Sequence, residues 1–430
     1  MTPGARIAAA IEILADIETR HRPAADALKD WGLAHRFAGS KDRAALATLV
    51  FDALRCRASA AWIVGEETPR AIVLGSLREM RGLSADEIGA LCTGEGHAPP
   101  PLSEVERARL TEGALDDAPD PVRGDYPEWL APAFAAAFGE SAVAEGRALA
   151  ARAPLDLRVN TLKATREKAQ KALAHLGAEP TPLSPLGLRV PLSEDGRSAS
   201  LAGEPAYLKG LVEIQDEGSQ LAALLAAPVP GEQVLDLCAG GGGKTLALAA
   251  AMDNRGQIYA TDREARRLGP LYARLERATT RNVQVRNPRR GQNVLADLEG
   301  HCDLVLVDAP CTGTGTWRRN PDAKWRIRPG ALEQRLKEQD EVLESAALYV
   351  KPGGRLIYIT CSLLPAENEE RIAAFLARYT DFSAIGAEAL LAAAGLPELA
   401  RFAGPHGTGL RLSPLTSGTD GFFIAGLRRA

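Results

Sequence analysis

Apolar residues recur at helical spacing through the first part of the chain. Ile7, Ile11, Leu14 and Ile17 fall three or four positions apart, and Leu46, Leu49, Val50, Ala53 and Leu54 repeat the pattern. Such spacing predicts amphipathic helices. Ser84 with Glu87, and Ser103 with Glu106, form two capping boxes: the hydroxyl accepts from the backbone three residues on while the glutamate reaches back. Between them, residues 93–101 (Thr-Gly-Glu-Gly-His-Ala-Pro-Pro-Pro) read as a loop or linker. A second acidic, proline-containing stretch covers residues 112–127. Residues 1–145 are therefore expected to form one all-helical domain.

The period then changes. Residues 155–160 alternate like a strand, residues 165–176 read as a helix stopped by Gly177, and residues 188–190 as a short strand. Residues 146–230 are expected to be a small α+β subdomain. From residue 231 strands and helices alternate, with strands expected at 234–238, 257–261, 283–285, 304–307 and 355–359. Alternation of this kind builds a parallel, Rossmann-like sheet with helices on both faces. Ligands in such sheets bind beyond the carboxyl ends of the strands. Residues 231–430 are expected to form that α/β domain.

Composition narrows the class. Of the 430 residues 46% are apolar and 25% charged, ordinary values that argue against disorder or a fibrous fold. No run approaches the ~18 apolar residues of a membrane span. Glu12 and Asp16 interrupt any secretory h-region. The six cysteines have no paired spacing, which fits reduced thiols in a cytoplasmic protein. With no C-x-x-C or H-x-x-x-H spacing, no metal is expected. The net charge of −4 hides an asymmetry: residues 58–145 carry 6 Lys/Arg against 16 Asp/Glu, residues 261–330 carry 14 against 8, and residues 20–57 carry 8 against 4. The two basic stretches suit a polyanionic partner, though solvated helix faces give the same count.

Residues 236–245 read Asp-Leu-Cys-Ala-Gly-Gly-Gly-Gly-Lys-Thr. A phosphate-binding Walker loop needs glycine where Cys238 stands, and a dinucleotide fingerprint needs glycine at Thr245 or Leu246. What remains is a strand ending in an acid, then a glycine turn into a helix, the layout of an S-adenosylmethionine (SAM) site. Cys238, Ala239, Gly240, Gly241, Gly242, Gly243 and Lys244 would line the methionine part. Asp262, ending the next strand, can accept both ribose hydroxyls.

Two further strand ends carry cysteines. Residues 308–315 read Asp-Ala-Pro-Cys-Thr-Gly-Thr-Gly, and residues 358–370 read Tyr-Ile-Thr-Cys-Ser-Leu-Leu-Pro-Ala-Glu-Asn-Glu-Glu. Neighbouring strands would bring Cys311 and Cys361 to the cofactor cleft. A thiolate there has a use. Carbon 5 of a pyrimidine is not nucleophilic, but thiolate addition at carbon 6 makes an enamine-like species that attacks the SAM methyl. One cysteine must attack and another group must help release. Asp308 can hydrogen-bond the base edge and select cytosine, and at the fourth strand end it is also expected among the SAM-binding residues. The other cysteines, Cys56, Cys92 and Cys302, read as structural.

These segments closely resemble the Sun (Fmu) family of SAM-dependent RNA 5-methylcytosine methyltransferases. Residues 158–163 are similar to its N-terminal signature and residues 236–245 to its SAM loop. Asp308-Ala309-Pro310-Cys311 and Thr360-Cys361-Ser362 are similar to its two cysteine motifs, and residues 318–325 add a fifth match. The resemblance spans roughly residues 146–430. It implies a class I methyltransferase fold, Cys361 as the nucleophile and Cys311 as the residue assisting release. DNA cytosine methyltransferases use the Pro-Cys cysteine instead, so Thr360-Cys361 points to RNA. The N-terminal region resembles the NusB-type RNA-binding domain, which implies a ribosomal RNA substrate and Arg36, Lys41, Arg43, Arg55 and Arg57 as phosphate contacts.

The sequence departs from the family in two places. Gly240-Gly241 stand where it usually has Ala-Pro, and Asn287 stands near its usual adenine-binding Asp, where the amide oxygen can still accept from the adenine amino group. The expected protein is a monomeric enzyme acting on 16S ribosomal RNA. Rival readings are a tRNA methyltransferase of the same family, a catalytically silent RNA-binding assembly factor, and a P-loop NTPase.

Overall fold

A computed structural model describes residues 1–193, 198–404 and 407–430. The chain divides into two compact units. Met1–Arg152 and Trp317–Pro329 make the first, and Ala153–Thr316 with Gly330–Ala430 make the second.

The first unit is helical. Its longer helices are Pro3–Arg20, Ala24–Ala34, Ser40–Arg55 and Pro69–Arg81, packed around Ile13, Leu14, Leu46, Val50, Leu54, Ile72 and Leu74. Both capping boxes form, at Ser84/Glu87 and Ser103/Glu106. The segment Trp317–Pro329, which the sequence assigns to the third domain, contributes its contacts here. Trp317 is 1% exposed and stacks on Phe134 at 5.9 Å. Lys324 donates to the Arg55 carbonyl at 2.9 Å, and Trp325 donates to that of Leu54. This packing corrects one expectation. Arg55 is buried and its guanidinium donates to the carbonyls of Ala150, Ala151 and Arg318, so it does not face RNA phosphate. Arg57 pairs with Glu18 at 3.0 Å and lies over the Trp325 ring. Arg36, Lys41 and Arg43 are exposed.

The second unit holds two sheets. The smaller is antiparallel and contains β1 (Leu155–Val159), β2 (Glu179–Pro180), β3 (Gly187–Val190) and β4 (Val212–Ile214), in the order β2-β3-β1-β4. Gly177, at φ 66°, ends the helical stretch that follows β1.

The larger sheet contains β5 (Gln233–Asp236), β6 (Gln257–Ala260), β7 (Val283–Val285), β8 (Cys302–Asp308), β9 (Val350–Thr360), β10 (Phe382–Ile385), β11 (Leu410–Leu412) and β12 (Phe422–Arg429). Its order is β10-β12-β9-β8-β5-β6-β7, with β11 added on β12. The pairs from β7 to β9 are all parallel, while β12 runs antiparallel between β9 and β10. Leu304–Val307 are fully buried, as expected of a parallel strand covered on both faces. The order reverses between β5 and β8, and such a switch point opens a crevice at the carboxyl ends of the strands. This is the Rossmann-like class I methyltransferase architecture expected from the sequence.

Candidate active site

Asp236 ends β5, and a six-residue loop leads into the helix Gly243–Ala251. Thr245, in the first turn of that helix, donates to Asp236 Oδ2 at 2.6 Å. Among the described residues, the other oxygen, Oδ1, is buried without a partner. Burial pushes the Asp236 carboxyl up to about 7, because a charge there lacks water. Gly242 caps the helix at φ 82°, and a Cβ on it would lie 2.1 Å from Leu271 Cδ1. Both the backbone conformation and the space therefore demand glycine.

Asp262 follows β6 and is 2% exposed. Its carboxylate accepts from the Gly240 N–H and the Glu264 N–H, each at 3.0 Å, and pairs with Arg267 at 3.1 Å. The acid expected to meet ribose thus also pins the glycine loop. The Cys238 thiol is pushed up, first by burial and then by the neighbouring carboxylates, so it stays protonated. Asn287 lies exposed beyond β7, with its amide nitrogen on the Tyr272 hydroxyl at 2.5 Å. That leaves the amide oxygen as an acceptor.

The chemical side of the cleft is built by β8 and β9. Asp308, the last residue of β8, lies in register with Ile359 of β9. Lys244 Nζ reaches Asp308 Oδ2 at 2.6 Å. Three residues beyond Asp308, Cys311 Sγ lies 3.4 Å from Cys361 Sγ. The two motifs, 50 residues apart in the chain, thus meet sulfur to sulfur. The hydrogen bond with Cys361, and then burial, hold the Cys311 thiol well above the usual cysteine value.

Glu367 joins the two cysteine loops. It is fully buried; Oε1 accepts from the Thr312 N–H at 2.8 Å and from Gln339 Nε2 at 3.0 Å. Oε2 accepts from the hydroxyls of Thr312 and Ser362. Thr312 follows Cys311 and Ser362 follows Cys361, so one carboxylate fixes both sulfurs. Asn368 braces the Cys361 loop alone, accepting from the Thr360 hydroxyl and donating to the Ser362 carbonyl. Gly315 donates to the Cys361 carbonyl, and a Cβ on Gly315 would strike Gly421 at 2.3 Å. Sequence reading missed Glu367 and Gln339. Glu367 sits in a run of acids before the helix Glu369–Arg378, where a solvated helix start is the ordinary expectation.

The carboxyl ends of these strands therefore bring together a glycine loop, an orphaned buried carboxylate oxygen, a carboxylate at the second strand end and an amide acceptor at the third. These donors and acceptors fit SAM. The family comparison decides the rest. The model described as 16S rRNA methyltransferase RsmB/F matches residues 223–428, and the RsmF/B-like ferredoxin-like domain matches residues 126–193.

The chain belongs to the RsmB/F methyltransferase family. It is 32% identical over 341 residues to the probable ribosomal RNA small subunit methyltransferase B of Bacillus subtilis, covering 76% of this chain and 73% of the relative. It is 33% identical over 321 residues to a protein of the same description from Synechocystis sp., covering 71% and 67%. Among solved structures, PH0851 matches with a TM-score of 0.73 and 26% identity over 100% of this chain and 99% of that one. A methyltransferase homologue from Pyrococcus horikoshii matches with a TM-score of 0.57 and 29% identity, covering 72% and 98%. As a member of this family the chain is a SAM-dependent RNA methyltransferase. Among the described residues, no helix is long and apolar enough to cross a membrane.

Proposed function

We propose that this enzyme methylates carbon 5 of a cytosine in 16S ribosomal RNA, in the cytoplasm and as a monomer, through a covalent bond between Cys361 and the base. The observation that carries this reading is the pair Cys311–Cys361, sulfurs 3.4 Å apart at the ends of adjacent strands beside the cofactor loop. A single structural thiol has no need of a second one at that distance.

Residues 238–244 would surround the methionine part of SAM, with Asp262 on the ribose and Asn287 on the adenine amino group. When bound, SAM supplies an electrophilic methyl group. Cys361 adds as thiolate to carbon 6, and the electron pair released to carbon 5 takes the methyl. Asp308, held by Lys244, has its Oδ1 unbonded among the described residues and can accept from the cytosine edge. After transfer the carbon 5 proton leaves to a base, the carbon 5–carbon 6 double bond re-forms and the Cys361 sulfur departs. The Cys311 thiol, which retains its proton, donates a hydrogen bond to that departing sulfur and so lowers the release barrier. The exposed cations Arg36, Lys41 and Arg43 of the helical unit would meet RNA phosphate.

The test is methyl transfer from labelled SAM to small-subunit ribosomal RNA and, separately, to total tRNA, with bisulfite sequencing of the product. One protected cytosine in 16S RNA is expected. Label at a uridine or at a ring position other than carbon 5 would overturn the chemistry, and label in tRNA alone would overturn the substrate.

A further inference from the structure

The cofactor loop contains four consecutive glycines, Gly240 to Gly243, and glycine loses the most conformational freedom when it is fixed. Something outside the loop must hold it, and the helix after β6 together with the small antiparallel sheet supplies the holders. Arg274, on the helix Gly269–Ala278, donates from NH1 to the Gly241 carbonyl at 2.6 Å. Arg158, on β1, donates from NH1 to the Gly243 carbonyl at 2.7 Å. Both guanidiniums are aimed by β4 and the residue that follows it. Glu213 Oε2 accepts from Arg274 Nε at 3.1 Å and from its NH2 at 3.0 Å, and Gln215 accepts from Arg158. Glu213 is 2% exposed, so its carboxylate is committed to these partners. Arg277 shares Glu213 through Oε1 and lies over the Tyr207 ring, and it donates to none of the loop carbonyls.

We infer that Arg274, aimed by Glu213 of the small sheet, is a positioning residue that sets SAM affinity by pre-organising the glycine loop. It never touches the reacting atoms. Its hydrogen bond restrains a carbonyl that would otherwise sample many orientations before the cofactor binds, and ordering the loop in advance lowers the entropy lost on binding. The inference rests on the reading that residues 238–244 take SAM.

The experiment is calorimetric titration of the full-length protein with SAM and with S-adenosylhomocysteine, alongside steady-state methyl transfer. Measurable SAM binding by the wild type tests the underlying reading, and its absence would defeat that reading rather than the role of Arg274. Arg274→Met keeps the aliphatic stem and removes the donor. It should weaken SAM about ten-fold, as expected for one lost charged hydrogen bond, while kcat at saturating SAM stays within about three-fold. Arg274→Lys should recover part of the affinity. Arg277→Met, which loses the same Glu213 partner but no loop contact, should bind SAM within about two-fold of wild type. A Cβ on Gly241 meets Arg274 NH1 at 3.2 Å and nothing else within 4 Å, so alanine fits once Arg274 is shortened. Gly241→Ala added to Arg274→Met should therefore regain affinity by stiffening the loop. Unchanged SAM affinity in Arg274→Met, or equal losses in Arg274→Met and Arg277→Met, would overturn the inference.

Discussion

Replacing Glu367 by alanine removes the one carboxylate that ties both cysteine loops. Four donors lose an acceptor, but they are not equivalent. The hydroxyls of Ser362 and Thr314 already lie 3.2 Å apart, and those of Thr312 and Ser362 3.4 Å apart, so the hydroxyls can re-pair. Gln339 also donates to the Pro310 carbonyl at 2.9 Å, which satisfies one of its amide hydrogens. The Thr312 N–H and the second Gln339 hydrogen have no alternative. Two buried orphan donors at about 1–3 kcal/mol each, plus the space left by the side chain, give a loss of about 3–5 kcal/mol. Glu367→Gln keeps an oxygen at the Oε1 position for both strict donors and turns an NH₂ towards hydroxyls that can rotate to accept. Its loss should be only about 0.5–1.5 kcal/mol. Freed loops let the sulfurs drift, and a 1 Å misplacement costs about 100-fold in rate. Urea unfolding and labelled-SAM transfer on the two variants measure both effects. An alanine variant within about 1 kcal/mol of wild type, or a glutamine variant as damaged as alanine, would refute the reasoning.

Cys361→Ala should abolish both methylation and any denaturant-stable RNA adduct, whereas Cys311→Ala should still attack, transfer and then stall as an adduct seen on a denaturing gel. The opposite pattern would exchange their roles. Asp262→Ala should cost on the order of 1.5–3 kcal/mol of SAM binding, since it removes the ribose acceptor and the anchor of the Gly240 N–H together; calorimetry within error of wild type would sink the assignment. Burial raises the Asp236 carboxyl to about 7 from 3.8. Between about pH 4 and pH 7 the unfolded chain therefore releases this proton while the folded chain keeps it, so folding stability falls as pH rises through that window. Asp236→Asn should remove that fall, gaining on wild type at pH 8 relative to pH 4.5 in urea unfolding; a difference independent of pH would refute the shift.

Local chemistry made much of this protein readable from its sequence. The capping boxes, the stop at Gly177 and the strands around 234, 257, 283, 304 and 355 all depend on neighbours within a few residues, and all but the last appear within two or three positions of where they were expected, the last beginning earlier, at Val350. The glycine turn after β5 and the placing of the two cysteine motifs at strand ends were legible for the same reason, since a glycine turn after an apolar strand is written in one stretch. Contacts between distant segments were not legible. The antiparallel strand β12 gives no local sign that it will enter between β9 and β10. Arg55 looked like a surface cation until the segment Trp317–Pro329, more than 260 residues later, buried it. Glu367 carries no local sign of its role, and only the meeting of the loops after β8 and β9 with the helix Pro329–Tyr349 surrounds it with four donors. Arg274 and Glu213 are 61 residues apart in the chain and become a clamp on the glycine loop only through the docking of the small sheet. A charged side chain gets its role from the partners burial leaves it, and those partners are chosen by the tertiary fold.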